Sequence, residues 1–133
     1  MTRLLITGGT GFIGQHVVKA FVEAGFDVVL LVRASSSYRH VDRTAQIIEG
    51  DIRNLATVKS AMLGCEAVVH VAGLYSFNQS AAATAYDVNV NGTANVIQAA
   101  TQLGINRLVY TSTVGTTAFH PTRLATEADI AEP

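Results

Sequence analysis

Thr7-Gly8-Gly9-Thr10-Gly11-Phe12-Ile13-Gly14 follows the apolar run Leu4-Leu5-Ile6 and opens a segment reaching to about Ala24 in which apolar residues recur at helical spacing. The order is strand, glycine turn, helix. A strand that feeds a helix through glycines gathers free backbone N–H groups and the positive end of the helix dipole at one point above the sheet edge, where a phosphate binds. Gly8 suits the tight turn, Gly11 lets the backbone approach a pyrophosphate without a Cβ in the way, and Gly14 lets the helix pack closely. The spacing also reads as Gly9/Gly11/Gly14, so two alignments are open. With Phe12 and Ile13, the glycines Gly8, Gly11 and Gly14 are the candidate cofactor-binding residues of the turn. Phe12, Ile13, Val17, Val18, Phe21 and Val22 form the apolar side expected to face the sheet.

The rest of the chain repeats this alternation. Asp27-Val28-Val29-Leu30-Leu31-Val32 reads as a second strand buried on both faces. Residues 34–45, with Ser35-Ser36-Ser37, Arg39, His40 and Arg43, read as an irregular surface segment in which Ser35 and Arg39 border a phosphate pocket or are solvated. Gln46-Ile47-Ile48-Glu49 is a third strand, and Asn54 caps a helix that Gly64 ends. Ala67-Val68-Val69-His70-Val71 is a fourth strand, in which a lone histidine reads as a packed core residue. Residues 81–103 read as one long helical region ended by Gly104, and Arg107-Leu108-Val109-Tyr110-Thr111 is a fifth strand. The order β-α-β-β-α-β-α-β, with right-handed crossovers, predicts an α/β fold: a Rossmann-type doubly wound parallel sheet in order 3-2-1-4-5, with its crevice where that order reverses.

At the end of the second strand, about 20 positions after the glycines, such folds select their cofactor. The residue there is Arg33. A carboxylate binds the free 2′-hydroxyl of NAD, whereas a guanidinium accepts a 2′-phosphate, so the expected cofactor is NADP, with NAD the alternative and a solvated loop arginine the bland reading.

The T-G-x-x-G-x-x-G spacing resembles the short-chain dehydrogenase/reductase family, and the form TGGTGFIG resembles its extended branch of NAD(P)-dependent epimerases, dehydratases and dihydroflavonol-reductase-like enzymes. Further segments carry the resemblance in the same order. Gly50-Asp51-Ile52 is similar to that family's adenine contact, which implies that Asp51 accepts from the adenine amino group and Ile52 packs on the ring. His70-Val71-Ala72-Gly73 resembles its strand-end segment, which implies Ala72 and Gly73 at the ribose and pyrophosphate. Asn89-Val90-Asn91-Gly92-Thr93 resembles N-V-x-G-T, which implies that Asn89 helps place backbone and water at the site. Ser112-Thr113-Val114-Gly115 resembles the strand-end serine/threonine, which implies Thr113 as the catalytic hydroxyl that orients a substrate carbonyl.

The family's Y-x-x-x-K pair is absent. Four positions after Tyr38, Tyr75, Tyr86 and Tyr110 stand Asp42, Gln79, Val90 and Val114. The expectation is that residues 1–133 form a single, incomplete NAD(P)-binding domain, truncated before the C-terminal strands and substrate lobe. Taken alone it should be inactive and should expose apolar surface. The whole protein is expected to reduce a ketone or aldehyde; a sugar-nucleotide epimerase or dehydratase and a non-catalytic nucleotide-binding module are the alternatives.

Composition bounds the partners. The 133 residues carry a net charge of −1, with 49% hydrophobic residues and a mean hydropathy of +0.32. That balance shows no basic excess for nucleic acid, and no apolar run approaches the roughly 18 residues of a membrane span. Cys65 is the only cysteine, so no internal disulfide and no cysteine cage for a metal is expected. The expected partners are a small-molecule carbonyl or sugar-nucleotide substrate and, in oligomeric form, a second copy in a homodimer. The expected location is the cytoplasm.

Overall fold

The structure is a computed structural model, and it describes residues 1–131. Five strands, β1 (Arg3–Thr7), β2 (Asp27–Val32), β3 (Gln46–Glu49), β4 (Ala67–His70) and β5 (Leu108–Tyr110), form one parallel sheet in the order β3-β2-β1-β4-β5. This is the order read from the sequence.

The inner strands are apolar without alternation because both faces are covered. Leu4, Ile6, Val28, Leu30, Val32 and Val69 pack against Val18 of α1 (Phe12–Glu23). Leu5, Val29, Leu31 and Val68 pack on the opposite face against α2 (Leu55–Met62) and α4 (Thr93–Gln102). α2 starts as expected, with the Asn54 side chain accepting from the N–H groups of Ala56 and Thr57. At the sheet's outer edge, β5 leaves Val109 and Tyr110 largely exposed.

Three local expectations are corrected. Phe12 and Ile13 do not face the sheet: they begin α1 on its solvent side, 81% and 57% exposed, while Val17, Phe21 and Val22 take the core side with Val18. Residues 34–45 contain no helix or strand, yet Val41 and Ala45 are buried and extend the α1-side core, so the segment is anchored. The long helical region is not uniform. A 3-10 turn (Gln79–Ala81) and α3 (Ala82–Tyr86) lead into a π-helical stretch (Asp87–Gly92) before α4. A π turn absorbs an extra residue. Here it carries Asn89 and ends with Gly92 on Ile52, where an added Cβ would lie 2.7 Å from the Ile52 Cδ1.

Candidate functional site

β1, β2 and β4 end beside one cavity of about 490 Å³. It is lined by the glycine turn, by Leu31, Val32, Arg33 and Ser36 after β2, by Gly50, Asp51 and Ile52 after β3, by residues 71–75 after β4, and by Val88 and Thr111. Of the residues read from the sequence, Gly8, Gly11, Phe12, Ile13, Gly14, Arg33, Asp51, Ile52, Ala72 and Gly73 all border it. The crevice lies beside β1, where the strand order reverses.

The turn's glycines are needed for different reasons. Gly8 has φ of 75°, and a Cβ there would lie 2.5 Å from the Ala72 nitrogen. Gly9 faces the core, with room for nothing between Leu30 and Val18. A Cβ on Gly14 would fall 2.0 Å from the Gly8 carbonyl oxygen, so Gly14 packs α1 onto the turn itself. Gly11 differs from the others. Among the described residues, the only atom that its Cβ would meet is the Gly8 oxygen, at 3.3 Å, and its φ of −79° suits any residue. Both alignments of the spacing therefore hold a constrained glycine, while Gly11 is the position left open toward the cavity.

Among the described residues, no side chain caps the start of α1. Its first-turn N–H groups lack intrahelical partners by geometry, and they border the cavity as a site for an anionic oxygen. His40, in the loop after β2, brings Nε2 to 3.2 Å from the Thr10 carbonyl oxygen and ties that loop to the turn. No local signal marks it.

Opposite charges separate along the rim. Asp51 is held by Arg53, whose Nε and Nη2 donate at 3.1 and 2.7 Å, and these bonds keep its carboxyl below the usual carboxylate range. Arg53 also reaches Asp87 at 3.6 Å, at the start of the π turn. Arg33 is exposed, and among the described residues it forms no ion pair. Ile52 is buried and lies between the cavity and the core, with its carbonyl held by the Asn95 amide at 2.9 Å.

Two candidates lie outside the residues that line the cavity. Asn89 is not among the cavity-lining residues: its Oδ1 accepts from the Leu74 N–H at 2.7 Å and its Nδ2 donates to the Leu74 carbonyl at 2.8 Å. It clamps the loop that lines the cavity. Thr113 does not line the cavity either, because it caps the 3-10 turn Val114–Thr116, with Oγ1 accepting from the Gly115 N–H at 3.3 Å. Thr111 lines it instead. Thr111 is the first residue after β5, which ends at Tyr110. Tyr75, the first aromatic residue after the β4 end, also lines the cavity and was missed.

His70 is buried, and loss of solvation lowers its pKa from 6.5 to about 4, so its ring is neutral. Among the described residues no group of three His, Cys, Asp or Glu side chains is placed to hold a metal ion, and no helix is long and apolar enough to cross a membrane.

The sequence model of the 3-beta hydroxysteroid dehydrogenase/isomerase family matches residues 5–124. The chain belongs to that family. Its relatives place it in the extended short-chain dehydrogenase/reductase group that the motifs resemble. A 3 beta-hydroxysteroid dehydrogenase type 7 from Rattus norvegicus is 37% identical over 123 residues, covering 83% of this chain and 35% of the relative. A UDP-glucose 4-epimerase from Klebsiella pneumoniae is 34% identical over 122 residues, covering 83% of this chain and 88% of the relative. Among solved structures, UDP-glucose 4-epimerase from Brucella ovis in complex with NAD superposes with a TM-score of 0.87 at 28% identity, over 100% of this chain and 42% of that one. The chain spans about a third of the length of the first curated relatives it matches.

Proposed function

We propose that this chain is the NADP-binding part of an oxidoreductase that reduces a ketone or aldehyde. The observation that carries the reading is the pairing, in one cavity, of an uncapped helix start at Gly11 with a rim guanidinium, Arg33, that has no ion-pair partner among the described residues. The cradle fits a dinucleotide. Gly11 leaves space that a Cβ would fill, and a backbone site with an adjacent cation suits two separate phosphate groups.

In this reading the first-turn N–H groups of α1 hold the pyrophosphate and Arg33 holds a 2′-phosphate. Asp51 accepts from the adenine amino group beside Ile52, Ala72 and Gly73 border the ribose and pyrophosphate, and Asn89 keeps the Leu74 loop in place. When bound, the nicotinamide supplies hydride chemistry. A carbonyl that accepts hydride gains charge on oxygen, which calls for a proton donor and a second hydrogen bond. Thr113 is proposed for that second bond: its Oγ1 accepts from the Gly115 N–H, which leaves its O–H to donate. The test is consumption of NADPH by the intact protein against a panel of ketones and aldehydes. Turnover supports the proposal, and binding without turnover of any carbonyl contradicts it.

The similarity to the Klebsiella pneumoniae epimerase, of which the chain covers 88%, favours a second reading as an NAD-dependent sugar-nucleotide epimerase. Interconversion of UDP-glucose and UDP-galactose with NAD, and no carbonyl reduction, is the outcome that selects it.

A further inference from the structure

Side chains as well as backbone join the ends of β1 and β4. Thr7 is fully buried and pairs in register with His70. Backbone pairing continues one residue past β4, where the Val71 N–H donates to the Thr7 carbonyl at 3.1 Å. Past it, the Ala72 N–H has no backbone acceptor among the described residues. The Thr7 hydroxyl replaces it, with the Ala72 N–H donating to Oγ1 at 3.3 Å.

That hydroxyl is itself held. Thr7 Oγ1 lies 2.5 Å from His70 Nδ1, and His70 Nε2 lies 2.9 Å from Thr93 Oγ1 on α4. The arrangement that satisfies every group has Thr7 O–H donating to Nδ1 and Nε2–H donating to Thr93. The opposite tautomer leaves the Thr7 proton without an acceptor among the described residues, in a site closed to water. The ring is further fixed by stacking on Tyr110, with centroids 5.4 Å apart and planes at 19°. One chain of side chains thus runs from α4 through β4 to the backbone of Ala72, at the point where Gly8 and Ala72 approach too closely for any Cβ.

We propose that Thr7, His70 and Thr93 are positioning residues which hold Ala72 and Gly73 against the glycine turn, and so set the width of the cavity for the part of the cofactor beyond the adenosine. The inference rests on the dinucleotide reading above. None of the three reaches ligand through its own side chain in this account. They act through the Ala72 backbone.

The experiment measures dissociation constants of the intact protein for NADPH and for adenosine 2′,5′-bisphosphate, which carries the adenosine half alone. Thr7→Val keeps size and branching while removing the hydroxyl. It should weaken NADPH by about tenfold, the worth of one lost hydrogen bond, and leave the bisphosphate unchanged. Thr7→Ser should restore NADPH affinity. His70→Phe should match Thr7→Val, and the double variant should be no worse than either single one, as for members of one chain. Unchanged NADPH affinity in folded Thr7→Val overturns the proposal, as does equal loss for both ligands, which is the mark of general destabilisation. If the unaltered protein binds neither ligand, the dinucleotide reading itself fails and takes this inference with it.

Discussion

Replacing Gly11 and Gly14 by alanine, one at a time, should separate binding from folding. At Gly14 the new Cβ would fall 2.0 Å from the Gly8 oxygen, 2.7 Å from its carbonyl carbon and 2.8 Å from the Gly9 Cα, all of them backbone atoms that cannot rotate away. Overpacking of this kind costs about 1–3 kcal/mol or somewhat more, and alanine's better helix propensity returns only about 1 kcal/mol. A net loss of about 2 kcal/mol lowers the Tm of a domain of this size by roughly 6–10 °C. At Gly11 the backbone is already open to any residue, and the single contact, at 3.3 Å, needs a shift of only a few tenths of an ångström. Its cost should stay under about 1 kcal/mol, close to the loss of a favourable N-cap glycine. The added methyl group instead enters the space assigned to pyrophosphate, so NADPH affinity should fall by about tenfold or more, while ligand-free melting moves by no more than about 4 °C. Calorimetric titration and thermal unfolding of the same samples give both numbers. Gly11→Ala that binds normally, or that melts as low as Gly14→Ala, refutes the reasoning.

Arg33→Asp should shrink or invert the preference for NADP over NAD, which a charge-assisted pair worth roughly 1.5–3 kcal/mol sets at about tenfold or more; equal dissociation constants for the unaltered protein refute the role of Arg33. Stability should fall on acidification before the carboxylates titrate. The pKa of His70 drops from 6.5 to about 4 on folding, so between those values the unfolded chain binds the extra proton. The associated stability is complete above about pH 6.5 and is lost toward pH 4, by about 3 kcal/mol in all. His70→Phe should flatten this slope, and urea midpoints at pH 7 and pH 5 measure it. The isolated 133-residue chain, with Val109 and Tyr110 largely exposed on the edge strand β5, should self-associate, and a monodisperse monomer in ultracentrifugation contradicts that expectation.

The parts of this fold that were legible in the sequence are those decided locally. Apolar runs of strand length, glycines at the strand-to-helix turn and Asn54 before a helix each carry their own physical reason, and the strand order is the one that a doubly wound nucleotide-binding fold implies. What escaped depends on contacts between distant residues. Nothing near His40 says that it reaches Thr10, and Val41 and Ala45 stand among polar neighbours although the α1-side core takes them in. Within the π turn Asn89 reaches Leu74 and Gly92 rests on Ile52, two contacts that uniform helical spacing cannot reveal. Thr113 was chosen by resemblance. The β5 strand ends at Tyr110, and the residue directly after it, Thr111, borders the cavity. His70 was read as a packed core residue, and it is buried, but its two hydrogen-bond partners lie on β1 and α4 and were invisible along the chain.

We propose that the cavity beside the Gly8–Gly14 turn holds a dinucleotide phosphate. Titration of the unaltered protein with NADPH, followed by calorimetry, tests it most directly. Saturable binding at one site per chain is expected, tighter than for NADH and abolished by Gly11→Val. No heat with either cofactor, or binding that survives Gly11→Val unchanged, would contradict it.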